Sequence, residues 1–220
     1  MGQDNGKVIP QEDPQIFKGV RSFLKALNES GDPPLETLSI EDARQVLVAA
    51  QKSVSFQYDD IEETERTIES GGHSVKIFIV KPKKAEAELP VFMFFHGGGW
   101  VLGDYPTHKR LVRDLVVHSG AVAVFPDYSR SPEVRYPVAI EEAYAATVWV
   151  AQHGKEIGVD SKRMAVVGNS AGGNMATVIS ILSQERKGPK IKFQALLWPV
   201  TDFNLNTESY KLFGEGRFLT

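Results

Sequence analysis

The sequence predicts an α/β fold: a largely parallel sheet with helices on both faces. Apolar runs at 90–95, 121–125, 164–167 and 191–197 read as short strands buried on both sides. Segments with helical spacing at 106–118, 138–153 and 171–185 separate them. Strands that alternate with helices need crossover connections, and these run right-handed between parallel strands. The 220 residues suffice for a domain with its own core, and no internal repeat or long linker interrupts the pattern.

In chain order, Phe17, Val20, Phe23, Leu24 and Leu27 recur at helical spacing until Gly31-Asp32-Pro33-Pro34 ends the pattern. Ser39 then caps a second helix. Asp42 follows three residues on, Leu38 precedes as a staple, and Ala43, Val46, Leu47 and Ala50 share one face. Residues 62–68 read as a polar, edge-like strand, Gly71-Gly72 as a turn, and 75–80 as the hairpin partner. The charged stretch 81–88 reads as a solvated turn. Residues 1–57 are thus expected to form an N-terminal helical segment, and 58–220 the α/β core.

Composition excludes several classes. Lys and Arg total 25 against 28 Asp and Glu, a net charge of −3, without the basic excess of a nucleic-acid binder. There is no cysteine, which rules out a disulfide framework, a thiol nucleophile and a thiolate metal site. No H-E-x-x-H occurs, so neither metal nor cofactor is expected. The first residues are polar and mixed in charge, and Gly6 stands where N-myristoylation of Gly2 requires Ser or Thr. No apolar run reaches the roughly 18 residues of a membrane span. Without a secretory signal the Asn28-Glu29-Ser30 sequon reads as chance, and the expected location is the cytoplasm.

Two motifs carry chemistry. Gly168-Asn169-Ser170-Ala171-Gly172 fits G-x-S-x-G, with an apolar strand entering and a helix leaving. A serine on so sharp a strand-to-helix turn takes a strained backbone and tolerates only small neighbours. Its hydroxyl stands clear of the sheet at a helix N-terminus, which favours negative charge. Taken alone, the pentapeptide also fits a plain glycine-rich turn. The second motif, His96-Gly97-Gly98-Gly99-Trp100, directly follows the strand ending in Phe94-Phe95. Consecutive glycines let backbone N–H groups face a ligand oxygen, as an oxyanion hole requires. Neither loop has G-x-G-x-x-G spacing or a following Gly-Lys-Ser/Thr, so dinucleotide and P-loop readings lack support.

Together with Asp127-Tyr128-Ser129-Arg130-Ser131-Pro132-Glu133 and Tyr136-Pro137, these motifs resemble the hormone-sensitive-lipase-like family of α/β-hydrolase esterases. Gly103-Asp104 and Thr107-His108 resemble the continuation of its glycine loop, and the likeness runs from about residue 15 onward. The resemblance implies an α/β-hydrolase core with an N-terminal helical cap. It makes Ser170 the nucleophile of an acyl-enzyme mechanism and gives the oxyanion hole to the amides of Gly98, Gly99 and Ala171. His96 and Gly97 would support the loop. Trp100, Tyr105 and Phe203 are candidate pocket walls, with ordinary core packing as the alternative. The substrate would be a small ester.

This chain departs from the family in two respects. Asn169 stands where the family has Asp, which removes a charge but keeps a small polar shape. The triad order of the fold is Ser…Asp/Glu…His, yet His73, His96, His108, His118 and His153 all precede Ser170. His96 and His108 read as structural, His118 and His153 as helix C-terminal residues, His73 as part of a hairpin turn, and Asp202 as structural. The resemblance therefore implies that the triad Asp and His, the last strands and a closing helix lie beyond Thr220. Residues 203–220 resemble the lead-in to a second cap portion. Strand 191–197 would be left as an open apolar edge, suited to a complementing C-terminal segment or a second chain. Such a chain alone would be nearly inactive. The alternative is a non-catalytic, small-ligand-binding protein on the same scaffold, since the family includes plant hormone receptors; the intact serine turn and glycine loop favour the enzyme.

Overall fold

The structure is a computed structural model that describes residues 9–83 and 88–217. The readings of the extreme N-terminus, of residues 84–87 and of the last three residues lie outside the described residues. Two compact units emerge: residues 39–201, and residues 1–38 with 202–220. Helix α1 (Lys18–Glu29) belongs to the smaller unit and buries Leu24.

The larger unit opens with α2 (Ile40–Lys52), where the Ser39 hydroxyl accepts the Asp42 N–H at 3.1 Å. Strands β1 (Ile61–Ser70) and β2 (His73–Pro82) form the hairpin. Gly71 and Gly72 take φ of +57° and +82° there, the left-handed region that such a turn demands. β3 (Leu89–Phe95), α3 (Tyr105–Ser119), β4 (Val122–Pro126), α4 (Val138–His153), β5 (Val159–Asn169), α5 (Ala171–Glu185) and β6 (Ile191–Leu197) follow. The six-stranded sheet has the order β1-β2-β4-β3-β5-β6. β4, β3, β5 and β6 run parallel, and the hairpin joins β4 antiparallel through β2.

Side-chain alternation assigns the two faces. Val91, Met93, Phe95, Val122, Val124, Met164 and Val166 pack with Ala143, Ala146 and Val150 of α4 and Met175, Ala176 and Ile179 of α5. On the other face Phe92, Phe94, Ala123, Phe125 and Val167 meet Tyr105, Val112 and Val116 of α3. α3 starts in a capping box: Asp104 Oδ1 accepts the Thr107 N–H at 2.9 Å, and Thr107 Oγ1 accepts the Asp104 N–H at 2.9 Å. It ends at Gly120, φ +68°.

β5 begins five residues earlier than the apolar run 164–167, because Leu89 and Pro90 pair with Val159 and Asp160 before a register shift at Pro90/Val91. The pairing partner, rather than local hydrophobicity, extends the strand. In the smaller unit the chain adds α6 (Glu208–Phe213), capped by the Thr207 hydroxyl, where the sequence suggested no helix. Asn28 Nδ2 donates to the Gly216 carbonyl at 3.1 Å within that unit.

Candidate active site

Ser170 sits between the end of β5 and the first residue of α5 with φ 54° and ψ −121°, a conformation that strains any residue with a Cβ. Packing leaves no slack around it. A Cβ on Gly168 would overlap the Gly172 carbonyl, one on Gly172 would overlap the Phe95 carbonyl, and one on Gly173 would come within 2.8 Å of Pro199 Cβ. The start of α5 thus lies directly against the end of β3. The Ser170 N–H donates to the Leu197 carbonyl at 2.9 Å, and its own carbonyl accepts from the Asn174 and Val200 amides at 3.2 and 3.1 Å. Serine is a favoured helix cap, yet the Ser170 side chain does not cap α5. The turn instead presents the hydroxyl at the positive end of the helix.

The glycine loop follows β3. Gly98 has φ +114° and Gly99 φ +62°, and Trp100 also takes a positive φ of 61°. The Gly98 carbonyl accepts from the Val101 and Leu102 amides at 3.1 and 2.8 Å, and a Cβ on Gly98 would overlap the Leu102 carbonyl. His96 is fully buried. It is stacked on Tyr128 (4.2 Å, 4°) and on Phe125 (5.5 Å, 7°). Its Nδ1 lies 2.7 Å from the Gly97 carbonyl, and the Tyr128 hydroxyl donates to the His96 carbonyl at 2.9 Å. Burial holds its pKa at about 3, so the imidazole is neutral. That chemistry suits a brace rather than a proton carrier. The two motifs meet through Asn169, whose Oδ1 accepts the Gly97 N–H at 3.0 Å.

Residues 92–220 match the family model described as alpha/beta hydrolase fold. The chain belongs to the α/β-hydrolase fold family. It is similar to an alpha/beta hydrolase of Acanthamoeba polyphaga mimivirus, 34% identical over 202 residues, covering 91% of this chain and 57% of that one. Esterase LipI of Mycobacterium tuberculosis is 49% identical over 116 residues, covering 53% of this chain and 36% of its own length. Among solved structures, a thermostable esterase from Pseudomonas putida is 59% identical with a TM-score of 0.92, covering 94% of this chain and 65% of that one. A structure of the esterase rPPE, 58% identical, carries a serine-to-alanine and a tryptophan-to-histidine replacement. The chain thus spans between 36% and 65% of the length of these relatives.

Within this α/β hydrolase the other expected residues are more scattered. Tyr105, the first residue of α3, is buried, its ring stacked 4.1 Å from Phe78 and its hydroxyl bonded to Glu63. That is core packing, not a pocket wall. Trp100 is half-buried against the α4–α5 face of the core, and its carbonyl accepts the Ser131 N–H at 2.8 Å. Phe203 is 94% exposed and belongs to the smaller unit. His153 pairs with Glu156 at 2.8 Å, and His118 lies in the last turn of α3.

Sequence reasoning missed three contributors. Arg44 on α2 donates to the Val101 carbonyl at 2.9 Å, to the Ser131 carbonyl at 3.1 Å and to both Glu133 carboxylate oxygens at 2.7 and 2.9 Å. Arg130 donates to the Gly103 carbonyl at 2.5 Å. Trp198, with φ 38° and 68% exposure, lies between the two segments bonded to Ser170; its place directly after strand 191–197 was the available signal. An open groove of about 730 Å³ along β6 is lined by residues including Lys187, Lys190, Lys192 and Phe193, and not by Ser170. Among the described residues no cluster of three His, Asp or Glu is placed to hold a metal ion, and no helix is long and apolar enough to cross a membrane.

Proposed function

We propose that this chain carries the nucleophile and oxyanion-binding half of a carboxylic-ester hydrolase acting on small esters. The observation that carries the reading is the strained, uncapped Ser170 at the head of α5, joined by Asn169 to the glycine loop. Ser170 Oγ attacks the ester carbonyl carbon while a base takes its proton. The oxygen that gains charge is held by the N–H groups of Gly98, Gly99 and Ala171. Collapse of the tetrahedral species expels the alcohol, protonated by the same base, and leaves an acyl-serine that water cleaves to the acid. His96 and Gly97 hold the loop in place, and Trp100 contributes a pocket wall.

All five histidines precede Ser170, and in this reading none of them is the base. A complementing C-terminal segment or a second chain along the open edge of β6 would supply the base and its carboxylate partner. The rPPE variants support the assignment of Ser170: the replaced serine and tryptophan stand as far apart in that esterase as Ser170 and Trp198 do here.

The test is turnover of p-nitrophenyl acetate by the chain mixed with the C-terminal segment of a 58%-identical esterase. Hydrolysis should require both parts and fall by about three to six orders of magnitude in Ser170→Ala. Turnover that survives the substitution would overturn the assignment.

A further inference from the structure

Asn169 precedes Ser170 and touches more than the glycine loop. Its Oδ1 accepts the Gly97 N–H at 3.0 Å, while its Nδ2 faces His108 Nε2 at 3.4 Å. The other imidazole nitrogen, Nδ1, lies 3.2 Å from the Asp104 carbonyl and 3.1 Å from Thr107 Oγ1. A carbonyl can only accept, so Nδ1 bears the proton and Nε2 offers a lone pair to Asn169. Both ends of the amide are thereby fixed, with oxygen toward Gly97 and nitrogen toward His108. The seat is tight: a Cβ on Gly97 would come 2.7 Å from Asn169 Nδ2, and one on Gly103 would come 3.1 Å from His108 Cε1.

We infer that Asn169 and His108 form an uncharged strut that positions the glycine loop relative to Ser170, and that protonation of His108 breaks it. A second proton on His108 sets an Nε2–H against the Asn169 amide N–H. Turning the amide to relieve that clash then sets its NH₂ against the Gly97 N–H. One proton therefore leaves the amide unable to satisfy His108 and Gly97 together, whichever way it is turned.

The groups facing His108 are the carboxylate of Asp104, the N-cap of its helix, and His96, directly after β3, with its ring centroid 5.4 Å from that of His108. Arg130 anchors Gly103 from beyond β4, and Phe94 and Phe125 add apolar rings. Burial is the largest influence and lowers the His108 pKa from 6.5. The strut is accordingly intact at neutral pH and lost in acid. A carboxylate at position 169 would accept from Gly97 and from a protonated His108 alike. The family's Asp would thus tolerate the charge that Asn169 excludes.

What the strut positions rests on the esterase reading; its test does not. Imidazole and amide resonances of the 220-residue chain are followed against pH by ¹⁵N NMR. His108 should show the Nδ1–H tautomer, and the Gly97 amide should shift with the His108 titration, at a midpoint below 6.5. In Asn169→Asp that midpoint should rise by about 1–3 pH units. In His108→Gln the Gly97 amide should lose this pH response. An Nε2–H tautomer, a Gly97 amide indifferent to the His108 titration, or a pH response that survives in His108→Gln would overturn the strut. Should Asn169→Asp fail to fold, the tautomer and the Gln variant still decide. An intact strut in a protein whose Ser170 never reacts would sink the esterase reading alone.

Discussion

A methyl group at Gly172 would point into the Phe95 carbonyl, and backbone on both sides prevents escape. Gly172→Ala should destabilise the chain by at least about 1–3 kcal/mol, measured as a lower urea midpoint. Gly99→Ala is the contrast. Space there is open, and φ of +62° is the only obstacle, so it should cost roughly 1–2 kcal/mol. A Gly172→Ala variant as stable as the parent would contradict the close approach of α5 to β3. The motif showed that small residues are needed around Ser170, but not which carbonyl each one meets. Asn169 was visible as a departure, while its contacts with Gly97 and His108 join residues far apart in sequence and left no local pattern.

At the scale of elements, Arg44 fastens α2 to the segment that continues the glycine loop. Two of its bonds go to main-chain carbonyls, and Arg44→Met should forfeit about 1–3 kcal/mol through them, read from denaturant unfolding. Its pairing with Glu133 adds a pH dependence of known sign. The hydrogen bond from Arg44 lowers the Glu133 pKa from 4.5 to about 2, so the contribution is full above 4.5 and fades as pH falls toward 2. Glu133 is exposed, and the slope should be shallow. Arg44→Met should flatten it, and an unchanged slope would remove Glu133 from the account. The helices at 106–118, 138–153 and 171–185 were legible because their residue spacing is local. The early start of β5 and the presence of α6 were not: the first depends on pairing with Leu89 and Pro90, and the second has too few residues for periodicity to register.

For the whole molecule, strand-by-helix alternation foretold a largely parallel sheet, but not that β2 would lie beside β4. That order depends on β4 inserting between β2 and β3, which no local residue pattern encodes. Among the described residues, β6 is paired on one side only, with Phe193 64% exposed and Leu196 37% exposed. Apolar edges of this kind recruit strands, so Phe193→Lys should reduce self-association in light scattering. Equal scattering would show the edge to be inert. The central claim is that Ser170 is a nucleophile awaiting its base, and covalent labelling by a fluorophosphonate, located by peptide mass spectrometry, tests it most directly. The account predicts an adduct on Ser170 that forms once a complementing C-terminal segment is added and is negligible without it. No adduct in either case, together with saturable binding of a small ligand, would contradict it.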